Sequence, residues 1–86
     1  MVTYKYREDV LAELWKYGVR PAPHTPPDLV RSFIRDLYRF EIRRLRDRYM
    51  RTEFSKREYF DKVVELRERY PVLALVSRQW VVNEGD

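Results

Sequence analysis

The stretch RTEFSKREY, residues 51–59, decides how this chain folds. Ser55 followed three residues later by Glu58 is a capping box: the serine hydroxyl accepts from the backbone N–H of position 58, and the glutamate reaches back to the N–H of position 55. A helix therefore begins here, and whatever precedes it must end. Phe54, just outside the box, is placed to staple onto Tyr59. The spacing predicts a helix through Tyr59, Phe60, Val63, Val64, Leu66 and Tyr70 that stops before Pro71.

Upstream, TPPD opens a second helical segment, with Thr25 as N-cap, Pro26 in the first helical position and Asp28 as the acid that reaches back. No glycine or proline interrupts it as far as Arg51. The helix is expected to run to about Arg51, roughly 35–40 Å at 1.5 Å per residue. The link between it and the Ser55 helix is short, so the two are expected to fold back as an antiparallel hairpin.

Farther upstream, Tyr6, Val10, Leu11, Leu14, Trp15 and Tyr17 recur at three and four, which predicts a first helix from Tyr6 to Tyr17 with Gly18 as its left-handed stop. The proline-rich VRPAPHTPP, residues 19–27, is read as a stiff spacer that turns the chain, and its P-x-x-P spacing as incidental to that. The tail PVLALVSRQWVVNEGD, residues 71–86, fits both a short helix and an extended strand. It is too apolar to float free, and Leu73, Leu75 and Trp80 are its candidate partner-facing residues.

The expected fold is thus all-α and a single helical domain over residues 1–86: a short N-terminal helix, a proline-rich spacer, a long hairpin and a C-terminal apolar tail packed on it. A chain of 86 residues buries only roughly 60–65% of its unfolded surface, so the core is thin and a second copy would help it. With no cysteine there are no disulfides and no thiolate metal sites. No apolar run approaches the roughly 18 residues of a membrane span. Charges at Lys5, Arg7, Glu8, Asp9, Glu13 and Lys16 break any signal-peptide core, and a cytoplasmic protein is expected.

Charge is concentrated. Between Asp28 and Arg51 eight arginines face four acids, a surplus equal to the formal +4 of the whole chain. Arg31, Arg35, Arg39 and Arg43 form an i+4 row with Arg46 alongside. On a helical wheel Leu29, Phe33, Leu37 and Phe40 make one apolar ridge with Val30 and Ile34 beside it, and Tyr38, Ile42, Leu45 and Tyr49 make a second, rotated ridge. The next helix carries an acidic row, Glu58, Asp61, Glu65 and Glu68.

Three readings follow from that pattern. The rows are solvated faces; or they dock basic to acidic against a partner protein or another copy; or Arg31, Arg35, Arg39, Arg43 and Arg46 contact a polyanion, since an i+4 row repeats about every 6 Å. Asp36, Asp47 and the acidic row argue against the third.

Chemistry is not expected. His24, the only histidine, sits in the spacer without an orienting partner. Glu8, Asp9 and Glu13 read as a solvated helix face rather than a metal site, and the two glycines build no phosphate loop. Tyr38, Tyr49, Tyr59 and Tyr70 read as core aromatics rather than a stacking platform. The sequence therefore points to a non-catalytic interaction protein, with no cofactor, metal, membrane or small-molecule substrate; nucleic-acid binding through the arginine row is the alternative.

Overall fold

A computed structural model describes residues 2–82. It is all-α: α1 (Glu8–Lys16), α2 (Pro27–Met50) and α3 (Lys56–Glu68) are followed by 3-10 turns at Pro71–Ala74 and Ser77–Trp80. Among the described residues there is no strand, only an isolated antiparallel bridge between Tyr6 and Val81.

Helix α1 is shorter than its periodicity. Tyr6 is drawn into the bridge, and the Arg7 N–H donates to the Trp80 carbonyl (2.9 Å), so the backbone ahead of Glu8 is extended rather than helical. Glu8 and Asp9 occupy the first turn, where the helix dipole favours acids. At the other end Gly18 has φ 76°, Gly18 N–H donates to Trp15 and Val19 N–H to Leu14. That pair of bonds is a Schellman stop.

Helix α2 begins one residue later than TPPD suggests. Its N-cap is Pro26 and its first residue Pro27, without a side-chain cap. Thr25 is committed elsewhere: its hydroxyl accepts from the Ala22 N–H (3.0 Å) and closes the spacer's turn. The far end repeats the Schellman pattern, with Thr52 N–H donating to Tyr49 and Glu53 N–H to Arg48. Here the left-handed position, φ 58°, is held by β-branched Thr52 rather than glycine. The capping box then forms as its residues dictate, Glu58 N–H to Ser55 Oγ (3.2 Å) and Ser55 N–H to Glu58 Oε1 (3.3 Å).

Aromatic pairs show how α2 and α3 meet. Tyr49 stacks on Tyr59 with centroids 4.5 Å apart, and Phe54 lies parallel to both rings at 6.4 Å. At the opposite end of α3, Tyr70 meets Tyr38 edge-on and its hydroxyl donates to Glu41. The tail is neither the single helix nor the strand its sequence allows. Pro71 restarts the chain after α3, and two short turns bring Val72 and Trp80 inward. The last four residues of that expectation, 83–86, lie outside the described residues.

The core sits at one end: Tyr6, Val10, Leu14, Val30, Ile34, Leu66, Tyr70, Val72 and Trp80. From Arg35 to Glu65 no side chain is buried. The molecule extends 52 × 19 × 17 Å with a radius of gyration of 15.9 Å. A compact chain of this length would have about 12 Å. The outer parts of α2 and α3 therefore project as an arm. The ridge expected from Leu29, Phe33, Leu37 and Phe40 is corrected here. Val30 and Ile34 are buried and Leu37 half-buried, whereas Leu29, Phe33 and Phe40 are exposed. The reason is area: the core gathered around Trp80, Val10 and Leu14 reaches Val30 and Ile34 but not the stripe beside them.

Replacing Thr52 by Gly removes a left-handed β-branched residue that costs on the order of 1 kcal/mol. The expected outcome is a melting temperature about 5 °C higher by circular dichroism. A lower melting temperature would show that Thr52 contributes more through its side chain than it costs.

Candidate interaction surface

The five arginines of the row do not share one fate. Arg31 is half-buried and donates through Nε to the Leu75 carbonyl (2.8 Å) and through Nη2 to the Leu73 carbonyl (2.9 Å). A guanidinium that satisfies two backbone carbonyls is holding the tail against α2. Arg35, Arg39, Arg43 and Arg46 are exposed, Arg35 donating to Ser32 Oγ (3.0 Å). Among the described residues none of the five is ion-paired.

The tail residues divide in the same way. Trp80 is 0% exposed, and its indole N–H donates to the Val72 carbonyl (3.1 Å). It completes the chain's own core, so the partner-facing role read from the sequence does not fit its position. Leu73 and Leu75 are half-buried against that core.

Grooves lie on both sides of the seam between α2 and α3. One is lined by Glu41, Arg44, Leu45 and Arg48 from α2, by Lys62, Glu65 and Leu66 from α3 and by Arg69 just beyond it. The other is framed by Tyr38, Arg67, Tyr70, Pro71, Leu73 and Ala74. At about 100° per residue, these residues anchor the remaining positions. Phe33 and Phe40 on α2 and Glu58 on α3 fall on the Arg44–Glu65 side. Arg35, Arg39 and Arg46 on α2, and Lys56, Phe60 and Val64 on α3, fall on the Tyr38–Arg67 side. Asp61 and Glu68 point away from the seam.

The two sides therefore differ in chemistry. The first mixes signs: Arg48 pairs with Glu53 (3.3 Å) and lies over the Phe54 ring, and Arg44 lies over Phe40. The second is cationic with two exposed apolar side chains, Phe60 at 68% and Val64 at 42%. The periodicity of α3 puts Phe60 and Val64 in one apolar set with Tyr59, Val63, Leu66 and Tyr70. The available signal was angular: as an i,i+4 pair they lie about 100° off the ridge that packs. His24 is exposed in the spacer. Among the described residues no group of three or more His, Cys, Asp or Glu converges to hold a metal, and no helix is long and apolar enough to cross a membrane.

Phenol groups mark the dry end. Burial, then neighbouring Tyr4, pushes the Tyr6 hydroxyl up to about 12 from 10.0, and that hydroxyl donates to the Thr25 carbonyl (2.6 Å). Burial, then the carboxylates of Glu13 and Glu41, pushes Tyr17 to about 12. Tyr70 is raised further, by burial first and then by its bond to Glu41. Tyr17 stacks on Tyr70 at 5.0 Å, so these groups form part of one assembly.

Searched against protein-family models, curated proteins and solved structures, the chain matches none.

Two outcomes are expected. Trp80→Ala empties the centre of the core and should cost about 3–5 kcal/mol, enough to unfold much of the population at room temperature. A cooperative melt like the parent's would show that the core does not depend on the tail. Stability should also fall with alkali. An unfolded phenol loses its proton near pH 10 while Tyr6 and Tyr17 hold theirs to about 12, so the contribution is complete below about pH 10 and disappears between about pH 10 and 12. Denaturant melts across that window should shift less for Tyr17→Phe than for the parent.

Proposed function

We propose that this is a small non-catalytic interaction protein, whose α2–α3 arm is a long antiparallel helical hairpin, with the apolar tail packed at its base, that docks on a second copy of itself or another protein. The observation that carries the reading is the absence of any buried side chain from Arg35 to Glu65, while Phe33 (57%) and Phe40 (54%) remain exposed on the mixed-sign side. Helices draw most of their stability from burying an amphipathic face, and a lone pair of helices buries only its seam. Exposed apolar groups gathered on such an arm are the usual mark of a docking surface. The mixed-sign side suits another copy, because Arg44 and Arg48 can meet Glu58 and Glu65 across a two-fold axis. The cationic side would repel itself. The reading includes a cytoplasmic setting, in keeping with a chain free of cysteine.

Light scattering on a sizing column, at low and high salt and with and without generic RNA, tests this directly. The expected result is a mass above 10.7 kDa that rises with concentration and that Phe40→Glu returns to the monomer. Mass that falls with salt assigns the contact to charge, and mass indifferent to salt assigns it to apolar side chains. Hydrogen exchange on the dilute monomer decides the reading as a whole: arm amides should exchange faster than those of the core. Equal protection in a strictly 10.7 kDa particle would mean that the arm needs no partner.

A further inference from the structure

We propose that the cationic side of the arm binds a single-stranded nucleic acid, with backbone phosphates on Arg35, Arg39 and Arg46 and a base stacked on Phe60. This goes beyond the docking just described and uses the opposite side of the arm.

Four observations carry it. First, Arg35, Arg39 and Arg46 are exposed and, among the described residues, free of carboxylate partners, so their charge is available to a ligand. They cover about 16 Å along α2. Second, the acids of α3 that would repel a phosphate chain are elsewhere, and on α2 the exposed Asp36 and Asp47 flank the row from the back of the helix, away from the seam. Glu58 and Glu65 fall on the other side of the seam, and Asp61 and Glu68 point away from it. Asp28 lies on this side too, but about 10 Å beyond Arg35. Third, α3 adds Lys56 and Arg67 to the same side, so the cations form a two-helix surface rather than one row.

Fourth, an aromatic ring stands among these cations. Phe60 is 68% exposed, more than half of a large apolar side chain left in water. A cationic track interleaved with an exposed ring is how strands with unpaired bases are held: phosphates pair with the charges and any base stacks on the ring. A duplex keeps its bases stacked within and makes no use of Phe60. An apolar cavity of about 290 Å³ beside Tyr38, Tyr70 and Arg67 opens on the same side, at the tail end of the arm. An acidic helix would satisfy the charges as well, but not the flat ring set among them, and the strand is therefore favoured.

Fluorescence anisotropy with a labelled oligouridine strand, an oligodeoxythymidine strand and a short DNA duplex, each across a salt series, tests the proposal on the full chain. Both single strands should bind more tightly than the duplex; oligouridine binding above oligodeoxythymidine would identify RNA as the source. Replacing Arg35, Arg39 and Arg46 together by Ala should lower the slope of log affinity against log salt by about 2, since each phosphate contact contributes about 0.7. Replacing Arg44, Arg48 and Lys62 together removes the same charge from the other side and should leave the slope unchanged. Phe60→Ala should weaken strand binding about ten-fold, with Phe60→Trp retaining it. Circular dichroism checks that each variant is folded; the positions are exposed or, for Lys62, half-buried.

Equal loss of slope in the two triple variants would reduce the binding to diffuse net charge and overturn the proposal. So would tighter binding of the duplex, an inert Phe60→Ala, or no salt-dependent binding at low ionic strength. An oligoglutamate peptide that competes charge for charge with oligouridine would assign the face to an acidic protein instead. None of these readings depends on the particle mass, so the docking proposal stands or falls separately.

Discussion

Burial of Trp80 is the contact on which the molecule depends. The side chain arrives from the far end of the described chain to fill the space among Val10, Leu14, Val30 and Ile34, and its indole N–H is satisfied by the Val72 carbonyl. Around it the chain is tied in both directions. The Arg7 N–H and the Tyr6–Val81 bridge hold the segment before α1 to the tail, and the Arg31 guanidinium holds the tail to α2. Fully burying an aliphatic side chain is worth about 1.5–3 kcal/mol, and a larger ring more. In a core this small one tryptophan is a large share of what opposes chain entropy.

A core that closes at one end leaves the other end to fend for itself. Helices α2 and α3 run past it with Tyr49, Phe54 and Tyr59 stacked at their tip, Glu41 and Tyr70 bonded at their base, and only half-buried side chains between. Such an arm is held mainly by its terminal signals: the capping box at Ser55, the Schellman bonds around Thr52, and the aromatic stack. The exposed Phe40 and Phe60 then follow from geometry, because two helices cover one stripe of each other and no third element reaches these positions.

Charge is partitioned by the same geometry. Placing α3 beside α2 sorts the arginines into three settings: Arg31 spent on carbonyls, Arg44 and Arg48 among acids and rings, and Arg35, Arg39 and Arg46 on a side from which the acids of α3 have turned away. The acidic row of α3 loses much of its force against polyanion binding, because Glu58 and Glu65 lie across the seam and Asp61 and Glu68 point away from it. One arm thus offers two surfaces of different chemistry, and a partner on one leaves the other open.

Local signals in the sequence were read where their physics is local. The Ser55–Glu58 box, the Gly18 stop, the uninterrupted run to Met50 and the all-α class rest on bonds within a few residues, and sequence order alone determines them. Thr25 misled because a threonine hydroxyl serves a turn as readily as a cap, and Ala22 lies close enough to claim it. The ridge of Leu29, Phe33 and Phe40 misled because a wheel shows which residues align but not which stripe a partner element reaches. Arg31 and Trp80 were legible only as an exposed cation and an apolar anchor; their roles required the tail to cross α2 at Leu73–Leu75 and return beside Tyr6. By itself, then, the sequence determined helix identity, the helix stops, the Ser55 start and the sum of charge. Tertiary structure alone decided which apolar stripe is buried and which arginines are left over, because both depend on contacts between residues far apart in the chain.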